Sequence, residues 1–109
     1  MTTVTFHMDG ARIVGFESQG HSGFAPEGED IVCAAITSTV RLVECAVNDV
    51  LGLGAAVKVV PDQALISLKL PGGLSQTAES TCQTLLTAMM LYLSELRDEY
   101  PEHITVMEV

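Results

Sequence analysis

The chain has no tryptophan, only 5% aromatic residues, and five lysines and arginines against 14 aspartates and glutamates. A formal charge of −9 opposes broad contact with a nucleic-acid backbone or an anionic membrane surface and favours a basic partner. The same acidity also serves plain solubility. No Cys-x-x-Cys pair occurs, and the three cysteines, at 33, 45 and 82, are odd in number. That spacing argues against a structural zinc site or a disulfide framework and suits free thiols in a reducing, cytoplasmic compartment. The opening MTTVTFHMDG has neither a basic nor an apolar leader segment, so no signal peptide is expected. The richest apolar run, Leu85 to Leu93, is broken by Thr87 and is about half of the ~20 residues a membrane span needs.

What is abundant is apolar. Hydrophobic residues make up 48% and charged ones 17%, which predicts a compact chain with one core and a single domain over 1–109. So few charges also leave apolar surface, and self-association is expected.

Thr2 to Met8 alternates, with Val4, Phe6 and Met8 on one face, as a half-buried strand does. Asp9-Gly10 offers a tight turn into a second strand over Ala11 to Ser18, carrying Ile13, Val14 and Phe16. Gly20, Gly23, Pro26 and Gly28 predict a loop from Gln19 to Glu29. A helix follows, beginning either with Asp30 as its cap or only at Cys33, with Cys33, Ile36, Val40, Val43, Val47 and Val50 on its inward stripe. Strands are expected over Val57 to Val60 and Ala64 to Leu70. A second helix, capped by Ser75, is expected to run to about Glu99 with Ala78, Cys82, Leu85, Met89, Leu93 and Leu96 inward. Pro101 stops it, and Ile104 to Val109 alternates as a last strand. The order ββαββαβ predicts an α+β two-layer sandwich, two helices on one face of a mixed, mainly antiparallel sheet of about five strands.

The chemistry-bearing residues cluster in GHSGFAPEGEDIVCAA, from Gly20 to Ala35. An ordinary thiol, with a pKa of about 8.5, is mostly protonated in the cell and needs help to ionise. His21, 12 residues ahead of Cys33, is within reach through the loop, and a helix start adds its dipole. Asp30 is a candidate cap or a candidate orienter of the histidine. The N–H groups of Cys33 and Ala34 are candidate oxyanion donors. A buried structural cysteine and a surface histidine remain the bland alternative for the same residues.

Other chemistries fit less well. Gly20-His21-Ser22-Gly23 approaches a nucleophile elbow, but Phe24 stands where a glycine is required. A phosphate loop would want a basic residue where Glu27, Glu29 and Asp30 stand. His7, His21, Cys33 and His103 show no ligand spacing, so no metal or other cofactor is expected. Cys45 and Cys82 read as packing residues.

The Gly-His pair, the loop and the Asp-Ile-Val-Cys-Ala segment resemble the signature of the bacterial ribosomal-processing cysteine proteases called Prp. The resemblance implies Cys33 as nucleophile and His21 as its base. It implies a basic precursor as partner: large-subunit ribosomal protein number twenty-seven, whose N-terminal extension is cut off after an aromatic residue. It further implies a homodimer, a substrate loop including Ser22, Gly23, Phe24 and Gly28, and a pocket hydroxyl at Thr37, where the family usually carries serine. A non-catalytic ribosome-associated module that holds a basic tail is the alternative, and a thiol-dependent redox or metal protein a more distant one.

Overall fold

The structure, a computed structural model, describes residues 1–20 and 27–109. Five strands, β1 (Thr2–Asp9), β2 (Arg12–Gln19), β3 (Ala56–Val60), β4 (Leu65–Lys69) and β5 (Ile104–Glu108), form one sheet in the order β3-β4-β2-β1-β5. Only β1 and β5 pair in parallel; the other three pairings are antiparallel. Helices α1 (Glu27–Glu44) and α2 (Gln76–Glu99) complete the expected two-layer architecture.

One core holds the layers together. Val4 and Phe6 from β1, Ile13 and Phe16 from β2 and Leu68 from β4 meet Val32, Ile36 and Val40 of α1 and Leu86, Met89 and Leu93 of α2. The Phe6 and Phe16 rings lie 6.2 Å apart at a tilted angle, within the range aromatic pairs favour. The register between β1 and β2 slips between His7 and Met8, so β2 carries a bulge beside Val14. The bulge brings Ile13 and Phe16 inward together, although they are three positions apart, and leaves Val14 only half-buried. Gly15 follows directly, and a Cβ there would stand 2.4 Å from the Leu68 carbonyl oxygen, too close for any other residue.

Both helices depart from the sequence reading. α1 starts at Glu27, so the loop is shorter than expected and Asp30 is the fourth helical residue, not the cap. Beyond Glu44 the helix continues as a wider π-helical turn over Cys45–Val50, which changes the phase and leaves Val50 exposed instead of inward. Cys45 is exposed too, against its reading as a packing residue. Asn48 ties this turn to the start of the next segment, donating to the Ala55 carbonyl at 3.1 Å and accepting from the Ala55 N–H at 2.7 Å. In α2 the cap is as expected, the Ser75 hydroxyl accepting from the Ala78 N–H, but Leu86 takes the fully buried place assigned to Leu85.

The stretch Ile31–Val50, with a mean hydropathy of 1.5, is long and apolar enough to cross a membrane by length and composition. It is a longer apolar segment than Leu85 to Leu93. Here Val32, Ile36, Val40, Val43 and Val47 pack into the core against the sheet and α2.

Candidate active site

One end of the sheet gathers the start of β1, the end of β2 and the turn joining β3 to β4. Gln19 pairs with both Thr3 and Leu65, which brings these three places side by side. Gly20 follows β2 with φ +94°, and a Cβ on it would come within 2.8 Å of the Met1 carbonyl oxygen. Only glycine suits both the angle and the approach. Its N–H donates to the Ala64 carbonyl at 3.3 Å, and Ala64, itself at φ 48°, closes the turn by donating to the Pro61 carbonyl at 3.0 Å.

α1 passes over this end and presents Cys33, half-buried, to a cleft of about 310 Å³. Thr2, Gly20 and Thr37 line it with the thiol, and Val59, Pro61 and Ile66 supply an apolar wall. The Thr2 hydroxyl donates to the Gly20 carbonyl at 2.9 Å and lies 3.7 Å from the Cys33 sulfur. A thiol at the mouth of an apolar cleft can attack an electrophilic carbon that the cleft delivers.

The other candidates are distributed as follows. His21, Ser22, Gly23 and Phe24 lie outside the described residues. Gly28 and Asp30 belong to the first turn of α1. Cys33 is the seventh residue of that helix, so its N–H and that of Ala34 face the carbonyls of Glu29 and Asp30. They are therefore not free oxyanion donors, and the sulfur stands one turn further from the positive helix end than expected. Ala34 is exposed and absent from the cleft lining, whereas Thr37, one turn on, belongs to it. His7 faces Glu17 at 3.6 Å, and the His103 ring packs beside Tyr100. No group of three or more histidines, cysteines, aspartates or glutamates suited to a metal occurs among the described residues.

Thr2 is the site residue that sequence reasoning passed over. Its signal was there: Thr2 is in phase with Val4 and Phe6, a polar side chain on the core face of the strand. The apolar wall left no such mark, because Val59 and Ile66 alternate like any strand residues.

A cysteine protease is the class that this two-layer fold and its thiol-bearing cleft define. The family model for cysteine protease Prp matches residues 1–105, and the chain belongs to that family. The Bacillus subtilis (strain 168) ribosomal processing cysteine protease Prp is 29% identical over 94 residues, covering 86% of this chain and 84% of its own length. Among solved structures, a Streptococcus mutans protein superposes with a TM-score of 0.86 at 23% identity, over 100% of this chain and 94% of the other. S. aureus Prp in complex with a substrate peptide gives 0.80 at 20% identity, and its complex with a covalently linked product peptide 0.77 at 21%, each over 100% of both chains. These likenesses show the fold.

Proposed function

We propose that this chain is a cytoplasmic endopeptidase that removes the N-terminal extension of large-subunit ribosomal protein number twenty-seven, cutting after an aromatic residue. The observation that carries the reading is the half-buried Cys33 thiol opening into a largely apolar cleft, which suits an aromatic side chain beside the scissile bond. The name of the B. subtilis relative, a ribosomal processing protease, supports the substrate class, and the net charge of −9 suits a basic precursor.

In this mechanism His21 takes the thiol proton and Cys33 attacks the carbonyl carbon that follows the aromatic side chain. Collapse of the tetrahedral intermediate expels the amine of the downstream peptide, which receives its proton from His21. Water, deprotonated by the same histidine, then releases the upstream acyl group and returns the thiol. With the Cys33 and Ala34 amides committed inside the helix, the Thr37 hydroxyl is the remaining candidate donor to the oxyanion. The working unit is a homodimer, joined through an apolar groove of about 440 Å³ between α1 and α2, where Leu42 and Tyr92 are exposed.

The test is cleavage of the extended ribosomal protein by wild type, Cys33→Ala and His21→Ala. Loss of cleavage in Cys33→Ala, with slower Cys33 alkylation near neutral pH in His21→Ala, is expected. Cleavage retained by Cys33→Ala would end the reading. Binding without turnover by the wild type, insensitive to iodoacetamide, would favour a module that merely holds a basic tail.

A further inference from the structure

Thr2 occupies a place where the strand pattern calls for an apolar residue, and it is only 3% exposed. A hydroxyl buried on the core face needs partners, and this one has two: the Gly20 carbonyl oxygen at 2.9 Å and the Cys33 sulfur at 3.7 Å. It carries a single proton. While that proton is given to Gly20, the contact with Cys33 is made by the thiol S–H donating to the threonine oxygen. The carbonyl is well fixed, since the Gly20 N–H is held by Ala64 and the backbone of Met1 closes off the space where a side chain would stand.

We propose that Thr2 is a positioning residue for Cys33, holding the sulfur toward the cleft as a thiol and turning its proton to the sulfur once the thiol has ionised. No covalent bond changes at Thr2. The thiol proton leaves to the base, His21 in the reading above, and the Thr2 O–H swings from the Gly20 oxygen to the negative sulfur. A hydrogen bond to an ionised acceptor is stronger than one to a neutral carbonyl, which gives the swing its direction. The assignment rests on Cys33 as nucleophile.

The experiment compares Thr2→Val, which keeps the shape and removes the hydroxyl, with Thr2→Ser, which keeps the hydroxyl and removes the methyl. Two readouts are taken on the full chain. One is iodoacetamide labelling of Cys33 against pH, followed by peptide mass mapping; the other is kcat and KM on a peptide spanning the extension junction. In Thr2→Val the labelling profile moves up by about one pH unit and kcat falls about tenfold, with KM within about twofold of wild type. Thr2→Ser stays close to wild type in both. An unchanged profile and kcat in Thr2→Val would overturn the proposal, as would a Thr2→Ser variant impaired as much as Thr2→Val, since packing of the methyl would then explain the effect. If valine unfolds the protein, Thr2→Ala against Thr2→Ser, measured below both melting midpoints, gives the same contrast. An indifferent Thr2→Val alongside an inactive Cys33→Ala removes the Thr2 assignment alone, whereas an active Cys33→Ala removes the protease reading itself.

Discussion

Cys33, Cys45 and Cys82 are free thiols in three different surroundings. Cys82 is fully buried under α2, where burial pushes its thiol up and the nearby Glu79 charge adds to the effect, against a smaller opposing pull from Arg12. Cys45 faces outward from the π-helical turn, and Cys33 opens on the cleft. Brief iodoacetamide treatment of the folded protein at pH 7.5 is therefore expected to modify Cys45 and Cys33 and to spare Cys82 until urea unfolds the chain. Peptide mapping before and after unfolding reads this directly, and native labelling of Cys82 at the rate of Cys45 would contradict the packing described. At this scale the sequence separated Cys33 from the other two by its setting in the Gly-His to Cys-Ala stretch. It misjudged Cys45, which regular helical spacing already places about 120° round the helix from Cys33, away from the inward stripe.

Between elements, the start of β2 is clamped to α2. The Arg12 guanidinium donates to both Glu79 carboxylate oxygens, the Nη2 contact measuring 3.0 Å, while the Gln83 amide pairs with both backbone groups of Ile13 at 2.8 Å. The Arg12 bond holds the Glu79 carboxyl below the usual range. A carboxyl lowered on folding contributes stability above its unfolded value of about 4.3, and that contribution disappears as the pH falls through the folded value. Glu79→Gln is thus expected to unfold at lower urea than wild type at pH 7, by under about 1 kcal/mol for so exposed a pair, with the gap closing at a pH well below the ordinary carboxyl range. A gap of equal size at both pH values would show that charge is not its source. The helix starts illustrate what local sequence can and cannot reveal. Ser75 stands just ahead of a periodic segment with its cap geometry intact, so α2 was legible at its first residue. α1 was not: Gly28 suggested loop, and Asp30 was taken for the cap of a helix that in fact begins three residues earlier. The bulge that turns Ile13 and Phe16 to the same side is likewise a matter of pairing with β1, not of β2 alone.

The whole molecule has two unlike outer surfaces. Behind the sheet, polar side chains such as His7, Glu17 and Lys69 face outward; over the helices, Leu42, Leu91 and Tyr92 are exposed beside the groove between α1 and α2. If the homodimer forms through that groove, Leu42→Asp together with Tyr92→Asp converts the protein to monomer in sedimentation velocity, with the circular dichroism of the fold retained. A monomeric wild type at micromolar concentration would refute it. The layered class and the element order could be read from alternation and helical spacing. The strand order could not, since nothing in the pattern of Ile104 to Glu108 says that it lies parallel to β1.

That parallel pairing has a consequence in time. The Thr2 N–H is bonded to the His103 carbonyl at 3.1 Å, and β5 then pairs with β1 from Thr2 to Phe6, so the strand bearing Thr2 gains its second neighbour only after about a hundred further residues have been synthesised. A nascent copy still threaded through the exit tunnel has its opening strand paired on one side alone. The sheet that carries Thr2 is therefore closed on its far side last of all, once the fifth strand has left the tunnel.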